Sequence, residues 1–106
     1  KKENEKMQQQ NLFEEKTGFV SIDETKNRYR GYVVKLKKTD PKTITKQWGR
    51  VEKKKGTYQP KNETWQGEKE EALPDDLDEF DAVDIYEQIC EQRRKRGYVD
   101  YSELRF

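Results

Sequence analysis

The sequence has no histidine and one cysteine, Cys90, in 106 residues. Without imidazole there is no His-based acid–base chemistry and no His-ligated metal. One thiol closes no disulfide within the chain and builds no thiolate cluster, a usage that fits a reducing compartment. Apolar residues are scarce. Leu, Ile, Val and Phe number 5, 4, 6 and 4, or 19 of 106, below the range that assures a large globular core. No apolar run approaches the ~18 residues of a membrane span, and no secretory leader pattern is visible. No membrane association, cofactor, metal or small-molecule substrate is expected. With no convergent nucleophile–base set either, neither is catalysis.

What is abundant is charge, at 42% of residues, but 23 Lys/Arg nearly cancel 22 Asp/Glu for a net of +1. Disorder driven by high net charge is therefore not indicated. Twelve aromatics, 6 Tyr, 4 Phe and 2 Trp, bury much area per residue. Length and composition fit one lean domain, 17–106, behind a flexible polar tail, 1–16.

The neutral total hides blocks. Residues 26–61 carry 13 basic and 2 acidic residues, net +11, whereas 62–91 carry 1 basic and 12 acidic, net −11. The basic block is the footprint of a polyanion binder. The acidic block either folds back on it or lies at the far side.

Elements follow from periodicity and turn chemistry. Phe19, Val20 and Ile22 mark a weak strand in 18–25. Tyr32, Val34 and Leu36 alternate with Val33, Lys35 and Lys37, the period of a half-buried strand in 30–38. Thr39-Asp40-Pro41-Lys42 is turn chemistry. A strand follows over 43–51, then a basic hairpin tip at Lys53-Lys54-Lys55-Gly56, a strand from Thr57 and a further one at 63–66. An acidic connector spans about 61–77. Ala82, Ile85, Tyr86 and Ile89, widened by Val83 and Cys90, form one face of a helix over 78–96. Acids crowd its first turn, Arg93 to Arg96 crowd its last, and Gly97 suits the left-handed position beyond it. The fold expected is α+β: an antiparallel sheet of about four to five strands, roughly 18–66, with one main helix on one face and the other face partly open.

Trp48-Gly49-Arg50-Val51 is the most informative stretch. On a strand, Trp48 and Arg50 share a face, opposite Val51. If Val51 is in the core, an indole and a guanidinium project together from a basic strand and suit a polyanion with stackable rings. The plainer alternative is a buried Trp48 beside a surface cation. Lys53, Lys54 and Lys55 are candidate phosphate contacts or a solvated tip. Asp75-Asp76 and Asp78-Glu79 lack calcium-loop spacing and read as helix N-terminal acids. Arg93 to Arg96 are a candidate second phosphate patch or localisation signal, although the helix dipole accounts for them without function. Tyr98 and Tyr101 read as packing residues, or as a phenol near the Arg50 face that could touch phosphate. Cys90 reads as a small core residue.

Trp48-Gly49-Arg50-Val51 resembles the signature of the WGR domain, a family found in poly(ADP-ribose) polymerases and bacterial proteins. Gly18-Phe19-Val20-Ser21-Ile22, Asn27-Arg28-Tyr29 and Tyr32 to Leu36 resemble its opening strands. Ala82, the Tyr86 region and Lys95-Arg96-Gly97-Tyr98 resemble its helix and Gly-Tyr ending. The resemblance covers about 18–101. Glu52 departs from the Gly that many members carry there, moving the expected turn toward Gly56. The resemblance implies a non-catalytic, sequence-independent DNA-binding module acting at nicks or ends. It implies that Trp48 packs on a terminal nucleotide while Arg50 and Asn27 hold phosphate. With Arg28, Lys46, Lys53, Lys54 and Lys55 these make the expected DNA-binding set. A bacterial origin and an intracellular, cytoplasmic or nucleoid-associated location are the matching expectations. The alternative is a protein-interaction module that docks a neighbouring domain on the same Trp/Arg face.

Overall fold

The computed structural model describes residues 13–104. It is an α+β fold with a six-stranded antiparallel sheet and one α-helix. The strands are β1 (Glu14–Asp23), β2 (Arg28–Lys37), β3 (Thr43–Lys54), β4 (Thr57–Pro60), β5 (Gly67–Ala72) and β6 (Val99–Asp100), with α1 (Glu79–Lys95) between the last two. β2 is central, flanked by β1 and β3; β6 adds to β1, and β4 and β5 each pair with β3.

Local chemistry sets the turns. Asp23 caps the single 3-10 turn after β1, accepting from the Thr25 amide, and Asn27 closes it in the left-handed region (φ 53°). That fixes the register from Asp23↔Arg28 to Glu14↔Lys37. Lys55 and Gly56 both have positive φ (52° and 85°), the two-residue geometry that suits a twisted hairpin. Asp78 caps α1 through the Asp81 amide. Beyond its end, Gly97 (φ 96°) donates to the Arg94 carbonyl and Tyr98 donates to the Arg93 carbonyl. This is a Schellman closure that turns the chain back onto the sheet.

The core has two parts. On one face Phe19, Tyr32, Val34, Leu36 and Ile44 meet Ala82, Tyr86 and Cys90 of α1. On the other, Val33, Val51 and Leu104 are buried, with Ile22, Tyr29, Tyr58, Trp65 and Tyr101 packed around them. Cys90 is buried, and burial raises its thiol pKa, which favours the neutral form. No described helix is long and apolar enough to cross a membrane.

The expected α+β fold, one helix on an antiparallel sheet, is observed, with six strands where about four to five were expected. Three finer expectations need correction. The stretch 61–77 is not all connector: Gly67–Ala72 forms β5 along β3, so part of the acidic block folds back on the basic one. Residues 63–66 are not a strand but the end of a 3-10 turn and a link into β5. Finally, β1 begins at Glu14, so 14–16 belong to the sheet; residues 1–12 of the expected tail lie outside the described residues. The face away from α1 carries the second, smaller cluster.

One tether yields an acid-dependence prediction. Arg94 Nε and Nη2 donate to Asp100 Oδ1 and Oδ2, each at 2.8 Å, a bidentate fork joining α1 to β6. That bond holds the Asp100 carboxyl below its ordinary value of 3.8. The folded pKa is depressed, so the stabilisation is complete above the unfolded value and is lost as pH falls through the folded one. Asp100→Asn is expected to cost about 0.2–1 kcal/mol at pH 7 for this exposed pair. The difference from wild type should shrink toward pH 3, as read by denaturant midpoints at both pH values.

Candidate functional site

Past the C-terminal end of α1 the sheet is uncovered and forms an open cleft of about 690 Å³. Its floor is β2 and β3, its near wall is the β1–β2 turn, and its far wall is the end of α1. Five cations line it: Lys26, Arg28, Arg30, Arg50 and Arg93. Four rings join them, Tyr29, Tyr32, Trp48 and Tyr98, together with the amides of Asn27 and Gln66. No carboxylate lines it, and none of the five cations joins an ion pair among the described residues.

Strand alternation explains this placement. Tyr32, Val34 and Leu36 point to the helix side, and α1 covers the last two and part of the first. Register pairs Tyr32 with Trp48 and Arg30 with Arg50, so both pairs lie on the helix side but beyond the helix. The Tyr32 and Trp48 rings are stacked, with centroids 6.0 Å apart at 17°. Trp48 is 38% exposed, neither sealed in the core nor free. Directly opposed like charges such as Arg30 and Arg50 destabilise a sheet. Such a local conflict without a carboxylate to relieve it is characteristic of a functional site.

The supports are specific. Trp48 faces Gly67 across β5, and a Cβ there would lie 2.2 Å from Trp48 Cε2. Glycine at 67 is what lets the indole lie down over the strand. Gln66 covers the gap on β3 where β5 pairing ends. Its amide donates to the Trp48 carbonyl (2.9 Å), and its Oε1 accepts from the Arg50 amide (3.2 Å). The Arg50 guanidinium lies 5.3 Å from the Tyr29 ring centroid, and its Nη2 donates to Asn27 Oδ1 (3.2 Å). Asn27 is thus both a turn residue and a holder of Arg50. On the far wall Arg93 Cζ sits 4.4 Å over the Tyr32 ring, with Tyr98 edge-on to Tyr32. Burial raises the Tyr32 phenol pKa, an effect that nearby Arg93 opposes.

Of the residues expected from sequence, Trp48, Arg50, Asn27 and Arg28 come together in the cleft. Lys46, Lys53, Lys54 and Lys55 do not line it. Lys46 lies two residues before Trp48, between Val34 and Lys69. Lys53 Nζ rests 5.8 Å from the Tyr58 ring centroid, Lys54 faces Glu63 at 3.7 Å, and Lys55 forms the hairpin turn. Glu52, paired with Gln59, does not line the cleft either. Sequence reading missed Lys26, Arg30 and Tyr32 as lining residues. Arg30 was recoverable, since it shares a strand face with Tyr32. Arg93, from the run weighed as a second phosphate patch, and Tyr98, read as a packing residue with a phenol able to reach phosphate, both line the cleft; the helix dipole also accounts for a basic last turn, so sequence did not single out Arg93.

Among the described residues no group of His, Cys, Asp and Glu could hold a metal ion. No family model, curated protein or solved structure matches this chain.

Proposed function

We propose that this chain is a non-catalytic module that binds DNA without reading its sequence. It grips backbone phosphates in the cleft and lays Trp48 against a sugar or base at a nick or an end. The observation that carries this reading is the set of five cations around the Tyr32–Trp48 stack, with no carboxylate lining the cleft and no ion pair to any of them among the described residues. Cations beside stackable rings are the shared need of nucleic-acid backbones and unstacked nucleotides. The resemblance of Trp48-Gly49-Arg50 and its flanks to the WGR signature points the same way, as does the Arg50–Asn27 hydrogen bond, which joins two residues assigned to phosphate.

The test is titration with nicked, end-bearing and continuous duplex at several salt concentrations. Binding at low salt, weakening steeply as salt rises, is expected. No binding at low salt overturns the reading in favour of a protein partner. Arg50→Gln should flatten the slope of log K against log salt by about 0.9, the share of one phosphate contact. Lys53→Gln should do the same on duplex if the interface extends to the hairpin tip. An unchanged slope would confine the interface to the cleft.

A further inference from the structure

We propose that Arg93 is a second phosphate seat in this cleft, so that the site takes one unstacked nucleotide unit carrying phosphates on both sides. The inference rests on the nucleic-acid reading above and adds a residue from the helix, outside the Trp-Gly-Arg signature. Three observations point to it. The cleft has two cationic walls with the aromatic pair between them: Arg50 with Asn27 on the sheet side and Arg93 on the helix side. The Schellman closure, in which the Arg93 carbonyl accepts from the Tyr98 amide, brings Tyr98 beside Arg93 at the cleft wall. Arg93 is held there by stacking on Tyr32 at 4.4 Å and on Tyr98 at 5.9 Å, as ring centroid distances. Lastly, Arg93 joins no ion pair among the described residues, and its Nε is sealed against the protein with no hydrogen-bond partner there. A guanidinium held over a ring at the cleft wall, with no carboxylate to neutralise it, keeps its charge for a phosphate.

The neighbouring cations serve as controls. Arg94 is occupied by Asp100 and Glu91. Lys95 shares the last helical turn but does not line the cleft. Arg93→Gln and Lys95→Gln therefore remove the same charge from the same helix end, and only the first removes the seat.

The probes are thymidine 3′,5′-bisphosphate and thymidine 5′-monophosphate, titrated by NMR into the wild-type chain and both variants, alongside nicked duplex. Wild type should bind the bisphosphate at least fivefold more tightly than the monophosphate. Arg93→Gln should abolish that preference and flatten the salt dependence on a short single strand by about 0.7. Lys95→Gln should change neither by more than twofold. Equal wild-type affinity for the two probes overturns the second seat, as does an equal loss in both variants, while the duplex reading stands. Failure of wild type to bind either probe or nicked duplex overturns the nucleic-acid reading and this inference with it.

Discussion

Trp48→Ala is expected to weaken binding to nicked or end-bearing duplex by about 1–3 kcal/mol, roughly 5- to 150-fold, the range for removing one aromatic platform from beneath a base. Continuous duplex, which offers no unstacked face, should lose far less. The difference follows from how the ring is held. One part of the indole is committed to Tyr32 and to the Gly67 backbone, and 38% of the residue is left to solvent. The ring is therefore positioned before any ligand arrives, and little ordering entropy is charged to binding. Competition titrations of the three duplexes against one labelled nicked probe would measure it. Equal losses on all three would assign Trp48 a purely structural role. Trp48→Phe separates the two roles further, because a smaller ring keeps a stacking face while vacating part of the Gly67 seat.

Phe19→Ala should have the largest effect on stability. Phe19 is fully buried at the middle of β1, opposite Tyr32 and facing the Ala82–Tyr86–Cys90 stripe of α1. Truncating such a ring typically costs ~3–5 kcal/mol, against a total that for a domain this size lies near the low end of ~5–15 kcal/mol. With 19 Leu, Ile, Val and Phe in the whole chain, little else can close the void. The variant should be substantially unfolded at 37 °C, with a collapsed urea midpoint. Val99→Ala, at a site 59% exposed, should shift the midpoint by less than about 0.5 kcal/mol. A Phe19→Ala cost under about 1 kcal/mol would mean that the sheet and helix do not share this core.

The elements legible in the sequence were those whose signal is local. Alternation through Tyr32, Val34 and Leu36 placed β2. Asp78 and Gly97 bracketed α1 to within a residue, because capping chemistry is written in single side chains. β5 was invisible for the opposite reason. Gly67–Ala72 is exposed almost throughout and has no apolar alternation; it is a strand only because β3 offers an unpaired edge. The same edge explains why Glu63–Gln66, which looks more strand-like, is not one: Gln66 meets β3 by single hydrogen bonds where β5 pairing ends. At the cleft, the shared face of Trp48 and Arg50 could be read from spacing, but its side of the sheet could not. Both faces carry apolar residues, and only the point where α1 stops leaves Trp48 uncovered.

Helix α1 spans 17 residues, about 25 Å, with Asp78, Glu79 and Asp81 at its start and Arg93, Arg94 and Lys95 at its finish. The acids at its start lie beside Lys38 and Lys42, whereas no carboxylate lines the hollow at its finish. On the nucleic-acid reading proposed above, the uncompensated end is the one that draws an approaching polyanion, a bias in the first collisions that rising ionic strength dulls.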